Sequence, residues 1–379
     1  MTDTTMALRA PAAETEPTRA GRPERDHTAP APRARSARRW FSGLRRAEPW
    51  RDAALLGLLN HGVLLVAALL QPSLLVLVLL AVPLSVGLAT GTLTVLHDAG
   101  HRMLAKRAWP NVLAVQLAVP AGLWVGQWTL KHRVHHKLLQ VYPIDESTRS
   151  SGVLRLHREA PLRPMHRHQH LYAWPLYSLA WLGDARSQLT YLFTGIVAGS
   201  ETPGVRPRLG SFLVEKALWL LVLSPYIHLL GFGRMAVLLI AAMTLGSLIA
   251  AVVTVIGHVN EGLVSPPGPP GREWAAQLVR TTASFRTDSR LARWFTGGMT
   301  HHLAHHLRPV ALRSELPALN ETAVPEVVAQ VGLPLSEYRT FSAAVAAHFR
   351  RLRELGRPGA EVVGQLSPSA AGAVASPAQ

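Results

Sequence analysis

Gly297-Gly298-Met299-Thr300-His301-His302-Leu303-Ala304-His305-His306-Leu307-Arg308-Pro309 is the stretch on which the reading of this chain turns. Its core, His302-x-x-His305-His306, repeats an earlier run, His132-Arg133-Val134-His135-His136. A third cluster, His97-Asp98-Ala99-Gly100-His101, closes a long apolar segment. On a helix, residues i, i+3 and i+4 share a face, so each run aims its imidazoles in one direction. Imidazole suits zinc, copper, iron and nickel. A hydrolytic zinc site uses three protein ligands and an open position, whereas these three runs supply eight, enough for two ions. His258 follows the fourth apolar span as His97 follows the second, and it makes a ninth candidate ligand.

Composition places the chain in a membrane. Hydrophobic residues make up 48% and charged residues 16%, and the apolar ones are concentrated in blocks. The net charge of +16 comes largely from Arg beside those blocks and at the ends of the chain. Basic flanks of apolar spans follow from the positive-inside rule and from attraction to anionic lipid, so nucleic acid is not the expected partner. With no Cys, disulfides, thiolate metal sites and cysteine nucleophiles are excluded. Abundant Arg, Ala and Pro with Lys only at 106, 131, 137 and 216 point to a GC-rich bacterial genome, hence a bacterial plasma membrane.

Four spans are expected. Ala53 to Leu70 and Leu74 to Leu96 are each close to the ~20 residues that cross a bilayer, and Gln71-Pro72-Ser73 forces them into a hairpin. Phe212 to Phe232 and Met235 to Gly257 form a second hairpin, with Glu215 and Lys216 snorkelling at its entry. His61, inside the first span, reads as hydrogen-bonded to a neighbouring helix. Arg33, Arg35, Arg38, Arg39, Arg45, Arg46 and Arg51 precede the first span, and Arg102, Lys106, Arg107, Lys131 and Arg133 follow the second. Both termini and residues 97–211 are therefore expected in the cytoplasm, and all the histidine runs fall on that side. Val112 to Trp128, broken by Pro120, Gly122 and Gly126, is expected to be re-entrant or interfacial, since a fifth crossing would part His132 from His97. Tyr172 to Phe193 reads as one aromatic-rich helix in the membrane interface.

Residues 1–45 and 357–379, rich in Pro, Ala, Ser and Thr, are expected to be disordered tails around a membrane domain at 46–356. Within it, Val324 to Leu355 reads as one or two helices broken at Gly332-Leu333-Pro334. The fold class is thus all-α and integral to the membrane, with four transmembrane helices in two hairpins and a cytoplasmic helical cap holding a histidine-rich dimetal site. Asp98, Asp145, Glu146, Asn260 and Glu261 are placed as partners that fix imidazole tautomers. His157, His166, His168 and His170 are left as surface or neighbouring residues.

A two-metal site reached from lipid fits oxidation of an acyl chain, and unactivated C–H bonds call for O₂ chemistry, usually with iron. At this point the chain resembles the membrane fatty acid desaturase superfamily, whose histidine boxes H-x(3–4)-H, H-x-x-H-H and [HQ]-x-x-H-H are matched in order by the three runs. Within it the chain is similar to the acyl-CoA or acyl-lipid desaturases of the linoleoyl and front-end types. Arg167-His168-Gln169-His170-Leu171-Tyr172, Phe295-Thr296-Gly297-Gly298 and the tail from Leu333 to Leu355 add to the match. The resemblance implies two non-haem iron ions with O₂ as co-substrate, a cis double bond placed in an acyl-CoA or acyl-lipid chain, and electrons from a ferredoxin, flavodoxin or small haem cytochrome. No His-Pro-Gly-Gly run is present, so a separate donor is expected. The chain departs from the pattern at His302, where front-end relatives usually carry Gln, at Gln140 (often Asn) and at Arg308 (often aromatic), which leaves substrate class and double-bond position open. A hydroxylase, ketolase or epoxidase on the same scaffold is the nearest alternative. A histidine-rich metal transporter is the alternative of another class, but transport calls for ionisable groups at mid-membrane and these clusters lie beyond the spans.

Overall fold

The computed structural model describes residues 47–150, 152–197, 200–201, 209–264, 266, 273–287 and 289–359. The expected tails at 1–45 and beyond 359, and most of the Pro/Gly loop at 267–271, lie outside the described residues.

Four long apolar helices carry the membrane part, and the chain is an integral membrane protein. Helix α1 (Ala47–Leu70) starts earlier than its apolar run predicts and turns at Gln71 into α2 (Leu74–Gly91). A wide π turn (Thr92–Leu96) and a last turn (His97–Gly100) extend α2 into one span, Leu74–Gly100. Then come α3 (Ala108–Ala118), α4 (Val125–Lys137), α5 (Gln169–Ser178) and α6 (Ala180–Thr194). After the two-residue strands β1 (Ile196–Val197) and β2 (Ser200–Glu201), the second hairpin is formed by α7 (Leu209–Leu230) and α8 (Phe232–Val255). The four spans leave large leucines outward, Leu58 at 73% and Leu221 at 68% exposure, as a lipid-facing surface allows. Helix α2 is the most enclosed of the four. It packs along α8 more extensively than any other pair of elements, and at their crossing Gly246 lies so close to Ser85 that a Cβ would sit 3.0 Å from its carbonyl oxygen. Small residues permit such approach where lipid supplies no hydrophobic drive.

The turns of the two hairpins are tied together. Gln71 Nε2 donates to Leu229 O at 2.8 Å, and the Arg234 guanidinium donates to Pro72 O. The opposite ends of α2 and α8 therefore share the other side of the bundle, where His97 and His258 lie. Two polar side chains inside the first span bond to neighbouring helices, as an apolar medium favours. Asn60 Nδ2 donates to Ala118 O at 2.7 Å. His61 Nε2 lies 2.7 Å from Leu117 O and its Nδ1 lies 2.9 Å from Tyr226 Oη, the helix-to-helix bonding expected for it.

Two expectations change and one gains detail. Val112 to Trp128, expected to be broken and not to cross, is two helices, α3 and α4, with the break at Val119 to Trp124; the residue before a proline disfavours the helical region, and Val119 precedes Pro120. Trp219 Nε1 and Lys216 Nζ donate to the freed carbonyls of Pro120 and Gly122. Glu215 and Lys216 do not snorkel: Glu215 is buried and accepts the Val125 N–H at 2.7 Å. Tyr172 to Phe193 is split at Leu179 into α5 and α6.

The cap beyond α8 is made of α9 (Trp274–Thr281), strand β3 (Ala283–Phe285), α10 (Arg290–Phe295), α11 (His302–Leu307), α12 (Leu316–Glu321), α13 (Ala323–Val331), strand β4 (Ser336–Tyr338) and α14 (Phe341–Leu355). The break at Gly332 separates α13 from α14 as expected, but β4 intervenes and pairs in parallel with β3, Phe285 opposite Tyr338. The fold is mainly helical, as the all-α reading expects, with two small two-stranded sheets among the described residues.

Candidate metal centre

Three helix ends present the histidines. The π turn places an extra residue in α2 and shifts the phase of the residues beyond it, a device frequent at functional sites, and His97 and His101 come after it. Helix α4 carries His132, His135 and His136. Its N-terminus is held by Glu215, which accepts from Val125 N–H and, at 3.4 Å, from Gly126 N–H; a carboxylate there satisfies orphan donors and complements the helix dipole. Helix α11 carries His302, His305 and His306, and Gly297-Gly298 before it explains why the opening stretch begins with two glycines. Gly297 has φ +63°, and a Cβ on it would come within 2.0 Å of Leu93 O in the π turn. That contact presses the third run against the first.

The nine imidazoles named from the sequence converge. His97, His101, His132, His136 and His305 form one group, and His135, His258 and His306 a second, the ligand atoms in each within 4.8 Å of one another. His302 Nε2 lies 3.2 Å from His306 Nε2 and so joins the second. Between Nε2 atoms the separations are 2.9 Å for His101–His132, 3.1 Å for His132–His136 and for His97–His305, 3.2 Å for His136–His305 and 3.3 Å for His258–His306. Two nitrogens that share one ion at about 2.1 Å stand about 3.0 Å apart at right angles and about 3.4 Å apart at the tetrahedral angle. The donor set fits two metal ions.

Burial keeps His101, His132, His136, His258, His302, His305 and His306 neutral. It pushes His101 down to about 3, aided by His97, Arg133 and His135, and His258 down to about 3, aided by His135. His132, His302, His305 and His306 are pushed well below the ordinary imidazole value by burial and by each other. A neutral ring with its Nδ1 engaged offers Nε2 as a ligand. His135 Nδ1 lies 3.1 Å from both oxygens of Asp145, and His258 Nδ1 lies 3.1 Å from Thr281 O. Burial alone would raise the Asp145 carboxyl, but His135, the Ser147 hydroxyl and the Gln140 N–H outweigh it and hold the group below the usual range.

The other expected partners are placed differently. Asp98 reaches His97 Nδ1 only at 3.5 Å; its other oxygen accepts from Arg313 Nη1 at 2.8 Å. Asn260 donates to Ile256 O and Ala344 O. Glu261 pairs with Arg350 at 2.8 Å, and Glu146 pairs with Lys131 at 3.1 Å. None of these three bonds an imidazole of the cluster. His157 is not a surface residue: it is fully buried, stacked on Tyr142 with centroids 5.3 Å apart. His166 is buried too, its Nε2 3.1 Å from Gly152 O.

Sequence reasoning missed three residues. Arg313, buried, ties Asp98 to Asp52 and Glu48 at the start of α1; no local pattern marks it, because its partners are more than 200 positions away. Glu215 stood out as a charge and not as a cap. Trp128 stacks on His132, centroids 4.5 Å apart, and its place four residues earlier on α4 was a readable signal.

Beside the imidazoles lies a cavity of about 790 Å³, within the range of small-molecule sites. Leu88, Leu93, Met243 and Ala250 of α2, α8 and the π turn line it, and His97, His132, His135 and His306 open onto it. A membrane bundle with a histidine-lined metal site at one end of an apolar cavity defines an integral-membrane metalloprotein that acts on lipid. The fatty acid desaturase family matches residues 71–339, more than two thirds of the chain, and the chain belongs to that family: it is an oxidoreductase, a fatty acid desaturase. It is similar to the sn-1 linoleoyl-lipid 6-desaturase of Synechocystis sp., 28% identical over 284 residues that cover 72% of this chain and 79% of that protein. The enzyme of the same name from Arthrospira platensis is 25% identical over 294 residues, 75% and 79% of the two chains. The acyl-lipid (8-3)-desaturase of Physcomitrium patens is 26% identical over 272 residues, 69% of this chain and 56% of that protein.

Proposed function

We propose that the chain introduces a cis double bond into the acyl chain of a membrane glycerolipid, using O₂ and two electrons from a separate ferredoxin, flavodoxin or small haem cytochrome. The carrying observation is the double group of imidazole Nε2 atoms, 2.9–3.3 Å apart, on the wall of an apolar cavity. Relatives named as acyl-lipid desaturases favour the lipid over acyl-CoA as substrate. His97, His101, His132, His136 and His305 would hold one iron ion, and His135, His258, His302 and His306 the other. The bound pair supplies the activation of O₂ that unactivated C–H bonds require. The chain's own residues do the rest. Leu88, Leu93, Met243 and Ala250 line the path of the acyl chain past the imidazoles and exclude water, Asp145 orients His135, and Trp128 braces His132. The arginines before α1 and after α2 put the site and both termini on the cytoplasmic side.

The test is expression in a bacterium that lacks desaturases, with a matching ferredoxin, then mass spectrometry of its lipids and metal analysis of the purified protein. Loss of two hydrogens from acyl chains and close to two irons per chain are expected. His305→Ala abolishes turnover while the protein still inserts in the membrane. Gain of an oxygen atom with no loss of hydrogen would move the assignment to a hydroxylase, and turnover by the His305→Ala chain would sink the site.

A further inference from the structure

One wall of the cavity is not apolar. Glu146, Lys131, Asp184, Gln188 and Lys216 all line it and form an unbroken ladder. Lys131 Nζ lies 3.1 Å from Glu146 and 2.8 Å from Asp184. Gln188 Nε2 donates to the other oxygen of Asp184 at 2.7 Å and Gln188 Oε1 accepts from Lys216 Nζ at 2.6 Å. Lys216 also donates to Gly122 O. The ladder joins α4, α6 and α7 and ends beside His132, the residue after Lys131 on α4.

Burying such a row costs free energy unless something repays it, and α4, α6 and α7 could meet through apolar side chains instead. Two features show what the row is suited to hold. An ammonium has three donors, and Lys216 uses two among the described residues, so one N–H is left for an acceptor at the cavity wall, beside the Phe212 ring at 5.3 Å. The two lysines are also matched by two carboxylates, so the ladder has no surplus charge to attract a phosphate or a free carboxylate. An uncharged carbonyl oxygen meets both conditions.

We propose that Lys216, held by Gln188, receives the ester carbonyl that joins the acyl chain to its glycerol, and that the ladder thereby sets how many carbons lie between that ester and the metal site. This rests on the acyl-lipid desaturase reading. A fixed anchor at one end and a fixed reaction site at the other count carbons from the carboxyl end of the chain.

Two measurements test it. In the first, the purified protein is heated with the methyl ester of an eighteen-carbon fatty acid or with the hydrocarbon of the same length; a ligand that binds the folded state raises its melting temperature. The ester raises it more than the hydrocarbon in the wild type and in Lys216→Arg, and the difference vanishes in Lys216→Met. In the second, double-bond positions are mapped in lipids made by each variant. Lys216→Met and Gln188→Leu raise KM about tenfold, as loss of one charge-assisted hydrogen bond does, and spread the double bond over neighbouring carbons. Equal stabilisation by ester and hydrocarbon in the wild type, or one unchanged isomer from the variants at reduced yield, overturns the proposal. If Lys216→Met does not fold, the wild type and Lys216→Arg decide it by the first measurement. A wild type that prefers the ester yet makes no double bond overturns the desaturase reading and leaves the ladder standing.

Discussion

Asp145 gathers three donors from its own short loop and turns its carboxylate toward one imidazole. Gln140 N–H and Ser147 Oγ each donate to it at 2.7 Å, and Ser147 N–H donates at 3.0 Å. Asp145→Asn keeps the size but removes the charge that holds the Nδ1 proton of His135. Partners of this kind typically matter 10–100-fold in metal affinity, so iron titration of the purified variant should show a loss of roughly that size in one of two sites. Arg313 works through a different neighbour. Arg313→Met leaves Asp52 and Asp98 buried without their cation, and breaking a buried pair costs about 3–5 kcal/mol; thermal unfolding in detergent should fall by many degrees even though Arg313 touches no imidazole. His157→Ala, harmless if the ring were on the surface, removes a fully buried ring stacked on Tyr142 and should lower stability by about 2–3 kcal/mol by the rules for core truncation.

Among the elements, α4 and the Gly297-Gly298 turn place the site. Glu215→Ala uncovers two amide donors at the N-terminus of α4, a loss of about 1–2 kcal/mol, and Glu215→Gln, which keeps an acceptor, should recover part of it; their melting temperatures side by side make the comparison. Gly297→Ala drives a methyl into Leu93 O and should cost more than either and also reduce bound metal. Much of this level was legible beforehand. The spacing of the boxes, the apolar blocks and the short Gln71-Pro72-Ser73 turn report local chemistry, and local chemistry is what sequence pattern carries. The α3–α4 break was half legible through Pro120 and Gly122. The cap was not: β3 and β4 pair three residues against three from opposite sides of α11, and no periodicity in so short a run signals a partner some 50 positions away. Asn260 and Glu261 were misplaced for the same reason, since proximity in sequence to His258 says nothing of the α14 groups they bond.

For the whole molecule, protonation couples to stability through histidines outside the metal site. Burial pushes His157 and His348 down to about 4, Arg158 adding to it for His157. Unfolded, each ring takes up a proton near 6.5. Stability from the neutral rings is therefore fully present above about pH 6.5 and is lost as pH falls toward 4, where the unfolded chain binds more protons. Two rings give a slope on the order of 3 kcal/mol per pH unit inside that window. The melting temperature in detergent should drop through it and hold steady from pH 7 to 8, and His348→Gln should flatten the drop. The bonds from Gln71 and Arg234 that lash the two hairpins together bear on kinetics. They tie the bundle at the end away from the histidines; if the substrate is the membrane lipid proposed above, it reaches the cavity from the leaflet on the histidine side. The quantity that saturates such an enzyme is the mole fraction of substrate in that leaflet. Diluting vesicles with buffer should leave the rate per protein untouched, whereas diluting the bilayer with inert lipid should slow it.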